Sequence, residues 1–300
     1  MEFREEPNRD LAIIPGSPKD FHRFLGVRVP GKRRHLYKYS RVSACLLESL
    51  REGYLWLSKP SEFNDPFDCK IVIDYRLTPE ELQQHVHVRD SGSSNKERRV
   101  IKLRGEGQYA FASRFAIDAS DIDSGDPRSL ALNIAKLAER SEFLDRTMGL
   151  CCFTEDPRSI LMWSHYAANH SGVCLRFRHR SSSDLSEHCF PVQYRRSVWS
   201  CRSKADDPIA QARALIRGSL IKSEVWRYER EWRVVAFGSG KSHFDPKDLD
   251  GVILGVQISK RDRRAILSIL RKKVYSHVEL LQAYQHPLKY GVRILPESER

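Results

Sequence analysis

Two glutamates late in the chain, Glu229 and Glu231, are the residues whose type and spacing suggest chemistry most directly. They lie in a stretch where apolar and charged residues alternate, which predicts a strand. Side chains two positions apart share one face of a strand at about 7 Å, so both carboxylates could contact one ligand. The alternation also fits an ion-paired solvent face, with Glu231 bound to Arg233 or a lysine, and the pattern alone favours that alternative.

A second acidic group lies in the loop Phe63–Asp68. Asp65 could hold a ribose hydroxyl or a metal ion, but an Asn-Asp-Pro sequence is also typical of a turn whose aspartate bonds its own backbone, and we favour the turn. A metal-dependent nuclease built from Asp65, Asp68, Glu229 and Glu231 ranks third among the functions considered. No lysine follows the acidic pair at the expected spacing, and we predict no metal site.

The segment Met162–His170 carries two histidines. On a helix Trp163 and His170 share one side while His165 points nearly opposite, so the two imidazoles cannot bind one metal. Either could still move a proton, although a hydrogen-bonded structural histidine is the commoner role. We expect this helix to be scaffold, with Trp163 in the core.

Several well-known site types are disfavoured because their sequence motifs are absent. The chain has no GxxxxGK[ST], GxGxxG, HExxH or GxSxG sequence, which disfavours P-loop hydrolases, Rossmann dehydrogenases, zinc proteases and α/β-hydrolases. Seven cysteines without a CxxC pair predict reduced, mostly buried thiols rather than a disulfide framework or a zinc ribbon. No apolar run approaches the roughly 18 residues of a spanning helix and the first residues are charged, so we expect a cytoplasmic protein.

The net charge of +12 biases the choice of partner towards polyanions. Basic residues cluster after Ser259, which with Asp262 predicts the cap of a helix running to Lys273. This helix supplies the candidates for RNA or DNA binding: Lys260, Arg261, Arg263 and Arg264. A solvated basic face that binds nothing is the alternative.

The elements that must position these residues predict an α+β fold with a single mixed or antiparallel sheet at its core and flanking helices. Residues 1–30 lack periodicity and are predicted to form an N-terminal arm. Residues 31–300 are predicted to form one domain. A helical insertion is expected at about 90–146, beginning at a Ser/Gly/Asn-rich stretch.

The order of several short motifs resembles family 2971 of the bacterial domains of unknown function. These motifs are Leu36-Tyr37-Lys38-Tyr39, Leu55-Trp56-Leu57-Ser58, Phe63-Asn64-Asp65-Pro66-Phe67-Asp68, Cys152-Phe153, Met162-Trp163-Ser164-His165-Tyr166-Ala167, Lys222, Trp226, Tyr228-Glu229 and Glu231-Trp232-Arg233. The resemblance spans most of the chain from Leu36 onward. It implies a fold but no settled activity.

The order strand, helix, glycine and strand over Leu36–Ser58, with a late Glu-x-Glu, is similar to ADP-ribosyltransferases. In that family the late glutamate holds a ribose hydroxyl of NAD and stabilises the cation formed as nicotinamide leaves. The resemblance implies that Glu231 is catalytic with Glu229 beside it. It further implies NAD contacts from Tyr37, Lys38, Trp56 and Ser58, although the family's first-strand His or Arg is here Tyr or Lys and no Ser-Thr-Ser follows.

The leading prediction is therefore an NAD-dependent ADP-ribosyltransferase-like enzyme acting on a nucleic acid or a nucleic-acid-bound target. The alternative is a non-enzymatic RNA- or DNA-binding module. If Glu231 acts through its charge, we expect Glu231→Gln to abolish activity with little change in stability.

Overall fold

The computed structural model describes residues 35–69, 71–75, 86–90, 98–103, 116–118, 148–179, 188–203 and 216–297. The predicted N-terminal arm over residues 1–30 lies outside this part, as does most of the predicted insertion at 90–146. The domain boundaries therefore stay a prediction.

Three α-helices of the described part contribute to the fold: α1 (Ala44–Glu52), α2 (Ile160–Tyr166) and α3 (Lys260–Leu270). The strands are β1 (His35–Ser40), β2 (Tyr54–Leu57), β3 (Ile71–Tyr75), β4 (Val86–Asp90), β5 (Arg98–Leu103), β6 (Ala116–Asp118), β7 (Met148–Thr154), β8 (Val173–Arg178), β9 (Cys189–Pro191), β10 (Gln193–Arg195), β11 (Trp199–Ser203), β12 (Ile221–Ser223), β13 (Glu231–Phe237), β14 (Gly240–His243), β15 (Leu249–Leu254), β16 (Glu279–Gln285) and β17 (Val292–Pro296).

The core of the fold is one eight-stranded sheet in the order β17-β16-β15-β8-β1-β7-β13-β9. Its pairings are antiparallel except that of β15 with β16, so the sheet is mixed. Helices α1 and α3 pack on one face, where Leu50 and Ile266 join the sheet residue Phe177 in one cluster. Helix α2 packs on the other face through Met162 and Trp163. The predicted α+β class with a mixed sheet and flanking helices is confirmed.

The central strand β1 has unequal neighbours. It pairs with β8 at six consecutive positions, from His35 with Arg178 to Ser40 with Val173. Its pairing with β7 is registered at one position, Tyr37 with Thr154. Strand β7 instead pairs along its whole length with β13. The sheet is therefore open on one side of β1, and an opening of this kind leaves room for side chains and a ligand.

Local signals fixed the helix ends. The Ser43 and Ser259 hydroxyls accept from the third backbone N–H of α1 and α3, as N-caps do. Gly53 ends α1 in the left-handed conformation at φ 73°. Helix α2 is shorter than the sequence pattern predicts, because the backbone turns left-handed over three residues ending at His170. The buried Trp163 indole N–H donates to the Pro157 carbonyl at 2.9 Å, as expected of scaffold.

The described part of the predicted helical insertion is β-structure. Strands β5 and β6 fall inside 90–146 and form a three-stranded antiparallel sheet with β4. Cross-strand pairing outweighs helical propensity at these positions because the β-branched pair Val100-Ile101 favours a pleated surface.

Six cysteines of the described part are free thiols, four of them buried, one half-buried and one exposed, as predicted for reduced cysteines. No helix within the described ranges has the length and apolarity needed to cross a membrane.

Candidate functional site

A cavity of about 250 Å³ opens where β1 and β7 part. Its walls mix aromatic rings with charged groups, and they come from β1, the 60–69 loop, β7, α2, β12 and the start of β13. The lining residues are Tyr37, Lys38, Tyr39, Glu62, Phe63, Asn64, Asp68, Cys152, Phe153, Met162, Tyr166, Lys222, Glu229 and Glu231. Both predicted catalytic glutamates and two of the four predicted NAD-contacting residues therefore face one space.

Lys222 brings the two glutamates together. Its Nζ lies 2.6 Å from Glu229 Oε2 and 3.0 Å from Glu231 Oε2. A third carboxylate, that of Asp68, lies 3.6 Å from the same nitrogen. All four side chains are at most 5% exposed, so this is a buried charge cluster and not the solvent face that charge alternation favoured.

The backbone reaches this geometry differently from the predicted strand. Strand β13 begins at Glu231, while Glu229 ends a 3-10 helix over Glu224–Glu229. Arg230 between them is left-handed at φ 45°. A regular strand would have held the two carboxylates about 7 Å apart. Because Arg230 changes the direction of the backbone locally, both carboxylates instead face one lysine.

Arg233 is the second cation bound to these carboxylates. Its guanidinium binds Asp68 through two bonds of 2.8 and 2.7 Å and Glu231 through bonds of 2.7 and 3.1 Å. It also donates to the Ser219 carbonyl at 2.7 Å and is fully buried. The sequence predicts that Glu231 pairs with Arg233 or with a lysine, and in the structure it pairs with both Arg233 and Lys222. Bidentate pairing of this kind fixes the carboxylate as well as its charge.

The two glutamates differ in acidity. Burial raises the pKa of Glu231, but the charges of Arg233 and Lys222 outweigh burial and hold that pKa at about 2. Burial also raises the pKa of Glu229, and here Lys222 offsets it only in part, so the pKa stays above its usual 4.5. When the environments of two neighbouring carboxyl groups give them different pKa values in this way, one group can act as a base while the other stays ionised.

Tyrosines and a tryptophan hold the cluster in place. Tyr166 donates its hydroxyl to Glu229 Oε1 at 2.7 Å, and the Tyr194 hydroxyl accepts from the backbone N–H of Glu231 at 2.8 Å. The Trp226 indole donates to Asp65 at 2.6 Å, while the other oxygen of Asp65 accepts from the N–H two residues on. Asp65 therefore makes the turn that its sequence predicts.

The first strand forms the opposite wall. Lys38 Nζ lies 3.3 Å from the Cys152 carbonyl, across the opening between β1 and β7. Burial lowers the pKa of Lys38, but the groups around it, Cys151 and Cys152 first, leave it raised, so the side chain is a cation. Tyr37 lines the cavity beside it.

Trp56 and Ser58, the other two predicted NAD contacts, are not among the residues that line the cavity. Strand β2 pairs with β14 in a separate sheet, and Trp56 is 52% exposed there. Ser58 bridges the backbone of Leu150, nearer the start of β7 than the cavity residue Cys152. Their closeness to β1 in sequence is not matched in space because α1 and its left-handed glycine redirect the chain.

The predicted nucleic-acid residues lie on α3. Lys260, Arg261 and Arg264 are exposed there, whereas Arg263 is half-buried and paired with Glu297. The apolar side of the helix faces the core through Ile266 and Ile269. The exposed side is basic, and its binding to RNA or DNA stays a prediction.

Within the described residues no group of three or more His, Cys, Asp and Glu side chains is arranged to hold a metal ion. The carboxylates of Asp68, Glu229 and Glu231 converge on the cations Lys222 and Arg233, which take the place that a metal would need. These ion pairs argue against the hypothesis of a metal-dependent nuclease.

The histidines of the α2 segment do not reach this cluster. His165 is exposed. His170 stacks on Trp163 and bonds Ser164 at 3.2 Å, a structural role.

Three residues of the site are not predicted by spacing or periodicity in the sequence: Lys222, Arg233 and Tyr166. No pattern in the sequence predicts a neighbour for the Lys222 side chain. The charge alternation favours a solvent-facing Arg233, and Tyr166 lies in the segment that is predicted to be scaffold. The usable signal was their presence in the motifs shared with the domain-of-unknown-function family.

Comparison with curated proteins and with solved structures gives no match. Residues 162–234 match the family described as "Protein of unknown function (DUF2971)". This stretch is shorter than the resemblance from Leu36 onward, but it contains Tyr166, Lys222, Glu229 and Glu231 and so most of the charge cluster. Residues 162–234 are therefore similar to the DUF2971 family, which is the family that the motifs of the chain resemble.

Proposed function

We propose that this protein cleaves the glycosidic bond between nicotinamide and ribose in NAD and transfers the ADP-ribosyl group to an acceptor. The observation that supports this proposal most is the meeting of Glu229 and Glu231 with Tyr37 and Lys38 in one cavity. The resemblance to ADP-ribosyltransferases selected these four residues from distant parts of the sequence.

The size and walls of the cavity suit one end of the substrate. At about 250 Å³ it lies below the roughly 300–1,000 Å³ of sites that enclose a whole drug-sized ligand. Nicotinamide and its ribose would enter it between the rings of Tyr37 and Phe63. Lys38 on the opposite wall would then attract the negatively charged diphosphate, which stays outside.

The two glutamates would divide the chemistry. The C1′–N bond breaks with its electron pair going to the pyridinium nitrogen, so neutral nicotinamide leaves and positive charge develops on the ribose. Glu231, ionised at neutral pH, stabilises that charge. An acceptor hydroxyl then attacks C1′ and gives its proton to Glu229, whose higher pKa makes it the better base.

The direct test is release of nicotinamide from NAD by the purified protein, with and without cellular RNA as acceptor. Lys38→Met should raise the KM for NAD, since it removes the cation on the diphosphate side. Glu229→Gln should lower kcat and remove the acid limb of the pH profile that this carboxylate causes.

Ser58→Ala and Trp56→Phe are the matched controls. The sequence grouped these positions with Tyr37 and Lys38, but neither side chain lines the cavity. Both variants should release nicotinamide at the wild-type rate. Absence of NAD cleavage in the folded protein with every acceptor tried, or equal losses in the cavity variants and the controls, would contradict the proposal.

A further inference from the structure

A second concavity, a groove of about 700 Å³, shares Glu231 with the cavity as a lining residue. Its lining alternates aromatic, apolar and charged groups: Glu155, Pro191, Val192, Tyr194, Arg227, Tyr228, Arg230, Glu231 and Trp232. It is more open to solvent than the cavity. Because Glu231 lines both spaces, a molecule in the groove would lie next to the proposed reaction centre.

The charges and rings in the groove are complementary to a polyanion that carries flat bases. The Arg227 guanidinium lies 5.5 Å from the centre of the Tyr194 ring, and its Nη2 contacts Glu224 at 3.2 Å. Tyr228 lies 6.0 Å from Trp226, centroid to centroid. On the acidic side, Glu155 accepts from the Trp232 indole. The Glu231 carboxylate is bound by Lys222 and Arg233, so the other charges that line the groove are those of Arg227, Arg230 and Glu155.

Arg230 gives the strongest argument. Its φ of 45° is in the left-handed region, where a side chain costs about 1–3 kcal/mol and glycine or asparagine is preferred. Its side chain is exposed, and within the described residues no side-chain partner of the guanidinium is found. An arginine therefore occupies a position where the backbone favours glycine, and no polar contact within the described residues accounts for its guanidinium. A contact made outside the chain would account for it.

We propose that this groove binds single-stranded nucleic acid, with bases stacked on Tyr194 and Tyr228 and phosphates held by Arg227 and Arg230. Stacking on aromatic side chains beside a basic groove is the common mode of single-strand recognition. The proposal rests on the function above for the role of the bound strand as acceptor, but the binding itself needs no NAD and no catalysis.

The experiment measures binding of a fluorescein-labelled single-stranded RNA oligonucleotide by anisotropy, without NAD, together with thermal unfolding. Arg230→Gly should leave the melting temperature unchanged or higher because it removes the strain. It should weaken RNA binding about tenfold, the size of one lost bond to a charged group. The salt slope should fall by about 0.7, the value for one phosphate of a single strand. Arg230→Lys should retain most of the binding.

Two comparisons separate this groove from other basic surfaces. Arg293→Gln makes the same change in net charge at an exposed position of β17, at the opposite edge of the eight-stranded sheet, and should leave the binding unchanged. Double-stranded RNA of the same sequence should bind more weakly, because its bases are not free to stack. Binding that is lost in Arg293→Gln and kept in Arg230→Gly would overturn the proposal, as would equal binding of duplex and single strand or no binding at low salt. NAD cleavage is measured in a separate assay, so a protein that does not cleave NAD can still be tested for RNA binding.

Discussion

Replacing Glu231 by glutamine tests whether its charge holds the fold together as well as the site. The carboxylate accepts from Arg233 at 2.7 and 3.1 Å and from Lys222 at 3.0 Å, all inside the protein. Glutamine keeps the shape but places a neutral amide against two buried cations. Removing one partner of a buried ion pair costs about 3–5 kcal/mol. We expect the low end of this range because Asp68 and Glu229 still bind the two cations.

This expectation differs from the small stability change that a half-exposed strand implied. A loss of about 3 kcal/mol would lower the melting temperature by about 6–12 °C at the sensitivity of a domain this large. Thermal and urea unfolding followed by circular dichroism would measure it. Glu48→Gln is the control, because Glu48 forms an exposed pair with Lys241 at 2.7 Å and its loss should leave the melting temperature unchanged.

The same charge predicts a dependence on pH. A carboxyl group whose pKa is about 2 in the folded state and 4.5 when unfolded stabilises the fold above pH 4.5. That stability, about 3 kcal/mol for a shift of this size, is lost as the pH falls from 4.5 to 2. Glu229 acts in the opposite direction because its pKa is raised. The wild-type protein should lose this stability in acid and Glu231→Gln should lose less. Equal unfolding midpoints of the two proteins at neutral pH would refute the buried-charge reasoning.

Four further predictions concern separate parts of the molecule. Trp163→Ala should cost about 3–5 kcal/mol in thermal unfolding because the indole is fully buried, and a loss below 1 kcal/mol would show that it is not core. Gly172→Ala should cost about 1–3 kcal/mol or more, since an added Cβ would lie 2.2 Å from a carbonyl oxygen of β1; wild-type stability would contradict that close approach. Tyr166→Phe removes a hydrogen bond that lowers the pKa of Glu229, so the acid limb of NAD cleavage should move to higher pH, and an unmoved profile would exclude Glu229 as the base. If α3 contacts the phosphates of double-stranded DNA, Arg264→Glu should weaken that binding and flatten its salt dependence, whereas indifference to salt and to the reversal would leave α3 a solvated face.

Local chemistry was readable from the sequence wherever neighbours along the chain decide it. The caps of α1 and α3, the turn at Asp65 and the burial of Trp163 all depend on residues within a few positions. The α+β class, with a mixed or antiparallel sheet, followed from the alternation and order of apolar segments. Shared motifs also marked Glu229 and Glu231 as a pair that belongs together.

The charge cluster, by contrast, is made by long-range contacts. Arg233 meets Asp68 across 165 positions, and Trp226 meets Asp65 across 161. No periodicity in the sequence reports such distances, because a charged residue in a strand has the same pattern whether it faces water or a buried partner. Trp56 and Ser58 show the converse, since closeness in sequence to β1 did not bring them into the cavity.

The sequence by itself determined which side chains are available, where α1 and α3 start and that an α+β fold with a sheet at its core forms, because these depend on local backbone preferences and hydrophobic patterning. Only the tertiary structure decided that Lys222 and Arg233 neutralise the carboxylates from inside the protein. A left-handed Arg230 and the opening between β1 and β7 bring these groups to one place. Burial then strengthens the electrostatic interactions between these groups, since water no longer screens them.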